Sequence, residues 1–187
     1  MPPTETAPSV WIDGGRGAVL HWDVAATSLG PMLVAASAKG VCRLSFGEDP
    51  AVLAQRFPHA RRVQARGEAG ADFAALLAQI IAAAEAPGET EFAHIPLDVS
   101  GTPFQQAIWQ ALRRIPKGET RTYAQLAADV GRPGAVRAAG SANGANHVSL
   151  LIPCHRVVRT DGSLGGYAWG LDIKAKLLQR EGALLPL

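Results

Sequence analysis

Cys154 and His155 are neighbours in the string Ile152-Pro153-Cys154-His155-Arg156-Val157. A thiol beside an imidazole is the least equipment needed for nucleophilic chemistry: the thiolate attacks, and the imidazole takes its proton. Adjacent side chains on a regular strand point to opposite faces, so the two can cooperate only at a turn or through a water. Pro153 interrupts a strand at that point. A lone cysteine is more often an inert buried thiol. The adjacent histidine, the preceding proline and basic surroundings that would stabilise a thiolate weigh against that reading, but spacing alone leaves both open.

The elements that must hold this pair follow from hydrophobic spacing. Apolar and β-branched residues dominate from Ala18 to Ala26 and from Met32 to Phe46, broken by Gly30-Pro31 and Lys39-Gly40. That pattern predicts a short antiparallel meander. Val52, Leu53 and Phe57 have helical spacing, as do Phe73, Leu76, Leu77, Ile80 and Ile81 between Ala71 and Ala86. Beyond Pro96 the texture turns helical. Thr102 before Pro103 marks a helix start, and Phe104, Ile108, Trp109 and Leu112 form one apolar stripe. Thr122 caps a second helix that stops at Gly131, and Pro133 opens a third over residues 133–146. The two resemble a helix-turn-helix, although the second carries mostly small residues, which usually means tight packing against a neighbour. His147 to Ile152 reads as a strand, and a last helix runs from Leu171 to about Gly182.

The expected fold class is therefore α/β of the α+β kind. Residues 1–15 form a loose, proline-rich tail, residues 16–92 a small sheet-plus-helix domain, and residues 93–187 a mostly helical domain containing the helix-turn-helix.

The 187 residues are 48% hydrophobic and 18% charged, which excludes a disordered chain. No apolar run reaches the ~18 residues needed to span a bilayer, and the N-terminus lacks a basic segment followed by an apolar one, so neither membrane nor secretory signal is expected. Two cysteines exclude a disulfide framework and a cysteine-based zinc site. His21, His59 and His94 are scattered, so no metal and no cofactor are expected. The net charge of +2 is uneven: residues 1–95 hold 7 Lys/Arg against 10 Asp/Glu, and residues 96–187 hold 11 against 6. A basic half suits an anionic partner such as nucleic acid, and a solvated surface explains it equally well.

The string PCHRV, with Asn146 eight residues before the cysteine and Glu181 twenty-seven after it, resembles the O6-alkylguanine-DNA alkyltransferases. The resemblance covers most of the chain through GTPFQQAIWQALRRIPKGETRTYAQLA, AVRAAGSANGAN, LIPCHRVVRTDGSLGGYAWG and KAKLLQRE. It implies DNA repair by direct, stoichiometric and irreversible transfer of an alkyl group from O6-alkylguanine in duplex DNA to Cys154, with the base flipped out of the stack. It implies that His155 draws the thiol proton through a bridging water and that Glu181 orients His155. Tyr123 would donate a proton toward the guanine and crowd the 3′ phosphate. Arg137 would fill the gap left by the flipped base, with Ala135 and Ala138 beside it on the DNA. Asn146 would tie the helix-turn-helix to the active-site turn. Tyr167, Ala168, Trp169 and Val157 would line the pocket, with the backbone carbonyls of Cys154 and Val157 accepting the guanine amino group.

Three departures from the family pattern carry expectations. His147 stands where many members have proline, which predicts a looser loop before the cysteine. Ala168 offers no polar contact to the substrate oxygen. Trp169 is expected to narrow the pocket against benzyl-sized groups. The thioether product implies one turnover per molecule. A monomer acting in the cytoplasm at the nucleoid is expected. Two other classes remain: a non-catalytic alkyltransferase-like lesion binder, in which the reactive cysteine is normally replaced, and a cysteine hydrolase, which would turn over an acyl substrate at an oxyanion hole.

Overall fold

The computed structural model describes residues 9–65, 70–86 and 92–183. They form two compact units. One contains the chain up to Glu85 together with the strip that ends at Ser100, and the other contains the chain from Gly101 onward.

The first unit is built on the expected meander. β1 (Val19–Thr27), β2 (Gly30–Ser37) and β3 (Gly40–Phe46) pair antiparallel in sequence order. A fourth strand, β4 (Arg61–Gln64), adds parallel to β1, so the sheet order is β3-β2-β1-β4. Its residues Arg61, Arg62, Val63 and Gln64 show no apolar alternation, and β4 is held by backbone pairing with β1 rather than by a buried face. Helix α1 (Ala51–Arg56) contributes Leu53 to a core with Val10, Leu20, Leu33, Ala35, Cys42 and Phe57, while α2 (Ala71–Glu85) packs on β1.

Two boundaries differ from the sequence reading. The loose tail was expected to reach residue 15, but Val10 is fully buried and Trp11 packs edge-on against Phe57 at 4.7 Å between ring centroids. The second domain was expected to start at residue 93, yet the strip to Ser100 belongs with the sheet. Asp98 explains both. It is buried and accepts hydrogen bonds from Ser9 Oγ (2.5 Å), Val10 N (2.9 Å) and Ser37 Oγ (2.7 Å). A buried carboxylate requires such donors, so it fastens both segments to the sheet.

The second unit is mostly helical. α3 (Pro103–Arg113) and α4 (Tyr123–Asp129) each begin with a capping box. The Thr102 and Thr122 hydroxyls accept from the Gln105 and Gln125 backbone N–H groups, and each glutamine side chain returns to the threonine N–H. α5 (Val136–Gly144) starts three residues later than expected, because Arg132 to Ala135 close a turn through Ala135 N donating to Arg132 O. The Trp109 indole donates to Ala142 O at 2.9 Å and ties α3 to α5. The short strands β5 (Arg121–Thr122) and β6 (Val157–Val158) pair in parallel, and α6 (Leu171–Arg180) closes the unit. No helix among the described residues is long and apolar enough to cross a membrane.

The strand expected over His147 to Ile152 is a chain of turns. Leu150 has a positive φ of 72°, and Ile152 N donates to Val148 O at 3.0 Å. Val148, Leu150, Leu151 and Ile152 are all buried, so the apolar run reflects burial on every side and carries no alternation that would mark a strand.

Candidate active site

Cys154, His155 and Arg156 form a single 3-10 turn that leads into β6. The turn removes the objection that adjacent strand side chains diverge. Pairing of β6 with β5 brings the start of α4, and with it Tyr123, to the same place.

Asn146 braces the loop before the turn. Its Nδ2 donates to Ile152 O at 2.8 Å and its Oδ1 accepts from Val148 N at 2.9 Å. Both ends of one amide therefore satisfy backbone groups that the missing strand would have left unpaired. His147 stacks edge-on against Trp109 at 5.4 Å between ring centroids, so the position expected to loosen the loop is packed.

Glu181 caps the C-terminal end of α6, where the helix dipole disfavours a carboxylate, so its partners must hold it there. His155 Nε2 donates to Glu181 Oε1 at 2.7 Å, with both side chains fully buried. Arg156 Nε donates to Oε2 at 2.9 Å and its second terminal nitrogen to Oε1 at 3.0 Å, while its first reaches Ile115 O at 2.8 Å. Burial pushes the Glu181 carboxyl pKa up, but the hydrogen bonds and charges of His155 and Arg156 win and bring it below the ordinary range. The carboxylate only accepts, so Nε2 carries the proton and His155 Nδ1 holds the lone pair; Nδ1 has no hydrogen-bond partner among the described residues. Burial also lowers the His155 pKa, against the pull of Glu181, so the ring rests neutral.

Cys154 is 6% exposed and lines a cavity of about 300 Å³ together with Tyr123, Gly140, Asn143, Ser149 and Tyr167. That volume lies at the lower end of pockets that hold a small molecule. The thiolate expected from basic surroundings is not the resting form. Burial raises the Cys154 pKa, and the Asn146 amide, the Lys174 charge and the Ser149 hydroxyl only partly pull it back.

Asn146 and Ala168 also line the cavity. The Tyr123 hydroxyl approaches the loop at Gly165 so closely that a Cβ there would sit 3.0 Å from it, and Gly165 has φ +71°, so only glycine fits. Burial, and then the negative charge Cys154 carries when it ionises, raises the Tyr123 pKa and keeps its phenol protonated. Trp169 and Val157 do not line the cavity. The Trp169 indole donates to Ser149 Oγ at 2.7 Å and so acts on the wall from behind, and Val157 O is held by Lys174 Nζ at 2.6 Å. Arg137 and Ala138 are exposed on α5, with half-buried Ala135 at its N-cap, apart from the cavity-lining residues.

Three residues gained no role from the sequence: Arg156, Asn143 and Lys174. Lys174 is fully buried and also donates to Leu164 O and Gly166 O (3.1 Å), so one ammonium gathers the loop that carries Tyr167. A signal for it existed: Lys174 precedes Leu177 and Leu178 by three and four residues, a charge on the buried stripe of a helix. Among the described residues no cluster of histidine, cysteine and acidic side chains could hold a metal.

Residues 103–183 match the family model described as 6-O-methylguanine DNA methyltransferase, DNA binding domain. A methylated-DNA–protein-cysteine methyltransferase of Methanosarcina barkeri is 37% identical over 162 residues, covering 87% of this chain and 97% of that protein. The bifunctional transcriptional activator/DNA repair enzyme Ada of Escherichia coli K12 is 44% identical over 168 residues, 90% of this chain and 47% of Ada. The chain thus spans about half the length of several curated relatives it matches. A crystal structure of Mycobacterium tuberculosis OGT in complex with DNA superposes with a TM-score of 0.73 at 35% identity, covering 87% of this chain and 92% of that one.

Proposed function

The chain belongs to the 6-O-methylguanine DNA methyltransferase family, and from that premise we propose that it repairs duplex DNA, as a monomer, by moving the alkyl group of O6-alkylguanine irreversibly onto Cys154. The observation that carries the reading is a cysteine on a cavity wall, next in sequence to a neutral histidine whose only unpaired nitrogen is its basic one.

The proposed steps use the residues on and behind the cavity wall. The lesion is unreachable in the stack and must be flipped into the cavity. Arg137, exposed on α5 among small residues, supplies a planar cation for the vacated place, and Ala135 and Ala138 allow close approach of the backbone. Cys154 gives its proton to His155 Nδ1 through a water, and the imidazolium is held by Glu181. The sulfur attacks the alkyl carbon, the S–C bond forms as the C–O6 bond breaks, and the guanine leaves with the electron pair. Tyr123, kept protonated, donates toward the leaving base. The thioether sulfur is a poor leaving group, so each molecule acts once. The lesion-binder alternative loses ground because Cys154 is present on the cavity wall.

The test is incubation with duplex DNA bearing O6-methylguanine, followed by peptide mass analysis. A stoichiometric gain of one methylene mass on the Cys154 peptide, absent in Cys154→Ala although that variant still binds the duplex, is expected. Binding without mass gain in the wild type would overturn the assignment.

A further inference from the structure

The cavity wall carries a buried donor that the alkyl-transfer steps leave unused. Ser149 is 2% exposed and lines the cavity with Cys154 and Tyr167. Its Oγ accepts from the Trp169 indole at 2.7 Å. An indole N–H only donates, so the serine is the acceptor there and its own hydrogen points elsewhere. Among the described residues no backbone or side-chain oxygen is in place to accept that hydrogen. Buried hydroxyls find acceptors, so this one is left for the cavity. Two groups on the same wall can take it: the Cys154 sulfur, and Tyr167 Oη, which has no partner among the described residues. The sulfur becomes the better acceptor when it ionises, because a hydrogen bond to a charged group is roughly twice as strong as a neutral one.

The other groups that favour the thiolate are largely committed. Lys174 Nζ directs its three N–H groups to Val157 O, Leu164 O and Gly166 O, so it acts on the sulfur through its charge. Asn146 Nδ2 gives one of its two hydrogens to Ile152 O. The Ser149 hydroxyl also draws the Cys154 pKa down against burial. We propose that Ser149 is a further catalytic residue of this chain: its hydroxyl, aimed by Trp169, donates a hydrogen bond to the Cys154 sulfur as the thiol gives up its proton. The inference rests on the alkyl-transfer reading. The thiol proton still passes through water to His155 Nδ1, and the serine keeps its own. Its O–H stabilises the new charge on sulfur until that electron pair becomes the S–C bond. Trp169 then has a chemical task besides its bulk: it occupies a lone pair of the serine, so that the serine hydrogen faces the nucleophile.

The experiment uses the full chain near neutral pH and two methyl donors: a duplex bearing O6-methylguanine, and iodomethane, which makes no base contacts. The rate of methyl arrival on the Cys154 peptide is read by mass for the wild type, Ser149→Ala, Ser149→Thr, Trp169→Phe and the double variant Ser149→Ala/Trp169→Phe, each shown by circular dichroism to be folded. Without the donor the thiolate becomes about 10- to 100-fold scarcer, partly offset because a more basic thiolate is the better nucleophile, so both Ser149→Ala rates should fall about 3- to 10-fold. Ser149→Thr, which keeps the hydroxyl, should restore most of both rates. Trp169→Phe keeps a ring and removes the N–H; it should slow the wild type with both donors and add little to Ser149→Ala, because the two act in one chain. Trp169→Phe carries the comparison of the two donors if Ser149→Ala does not fold. A loss confined to the duplex would put the hydroxyl on the lesion, and unchanged rates would put its hydrogen on Tyr167 Oη; either overturns the proposal, as does a loss that Ser149→Thr leaves in place. A wild type that takes methyl from iodomethane and none from the duplex overturns the repair reading instead.

Discussion

Replacing Glu181 by glutamine keeps shape and removes charge. In the native site the carboxylate accepts from His155 Nε2 and twice from Arg156, all within 3.0 Å and out of water. Glutamine offers one acceptor oxygen and an NH2 that must face a donor. Arg156, whose side chain is 7% exposed, would keep its charge with no counter-charge in contact. Removing one partner of a buried pair costs about 3–5 kcal/mol, which lowers the melting temperature of a chain this size by roughly 6–20 °C. The kinetic loss has a separate cause. An amide N–H aimed at Nε2 favours the tautomer with the proton on Nδ1, which abolishes the base that serves Cys154. General-base catalysis contributes about 10²–10⁴-fold, so single-turnover methyl transfer from O6-methylguanine duplex should fall by about that factor in protein shown by circular dichroism to be folded. A folded Glu181→Gln variant that transfers within fivefold of the wild type would refute the orienting role, whatever happens to its stability.

Asn146→Ala strands Ile152 O and Val148 N in the interior and should destabilise by about 2–6 kcal/mol in denaturant titration; a loss below about 0.5 kcal/mol would mean that the loop does not depend on the amide. Arg137→Ala should slow transfer from duplex DNA about 10–100-fold more than transfer from free O6-methylguanine, because only the duplex needs its gap filled; equal losses would contradict that role. The rate–pH profile should rise as His155 loses its proton, below the ordinary imidazole value of about 6.5, since burial lowers its pKa. It should fall through about 8, where Lys174, its pKa lowered by burial, loses the proton it needs to hold three carbonyls. A profile flat between pH 7 and 9.5 would dissociate Lys174 from the pocket. The folded-state pKa values of His155 and Glu181 both lie below their unfolded values, so the stability they contribute is full above about 6.5 and is lost progressively as pH falls, first through His155 and then through Glu181; acid unfolding that begins only below Glu181's range would show that the imidazole stays unprotonated.

The parts legible in the sequence are those with local causes. Thr102 and Thr122, each followed three residues later by glutamine, announce helix starts whose hydrogen bonds close within four residues. The meander is marked by its turns. Cys154, His155, Glu181 and Asn146 came from a motif; His155 and Glu181 are hydrogen-bonded at 2.7 Å, and Asn146 braces the loop that leads to Cys154. What escaped depends on distant partners. β4 exists because β1 offers it an edge, and Asp98 binds Ser9 from 89 residues away. The run from Val148 to Ile152 looks like a strand because burial on all sides and burial in a sheet select the same residues. Trp169 was placed against the pocket by position, whereas its indole hydrogen reaches Ser149 and sets the wall indirectly. Ordinary carbonyls draw Lys174 inward, and no motif records which carbonyls those are.

The electrostatics of the site run opposite to those of a turnover enzyme with a resting thiolate. Burial holds Cys154 as the thiol and His155 as the neutral base, so no ion pair waits in the unliganded cavity. The fixed charges lie one layer back: Glu181 carries the negative charge that His155 will need, and Arg156 keeps that carboxylate ionised in the interior. On the proposed function, in which one alkylation consumes the protein, this order is an advantage. A permanently ionised, exposed sulfur would be spent on any soluble electrophile, whereas a buried thiol becomes a nucleophile only when a bound base places a carbon before it and the proton has a base to go to. On that proposal the raised thiol pKa and the prepared imidazole–carboxylate pair are two halves of one device, reactivity withheld until the lesion fills the cavity.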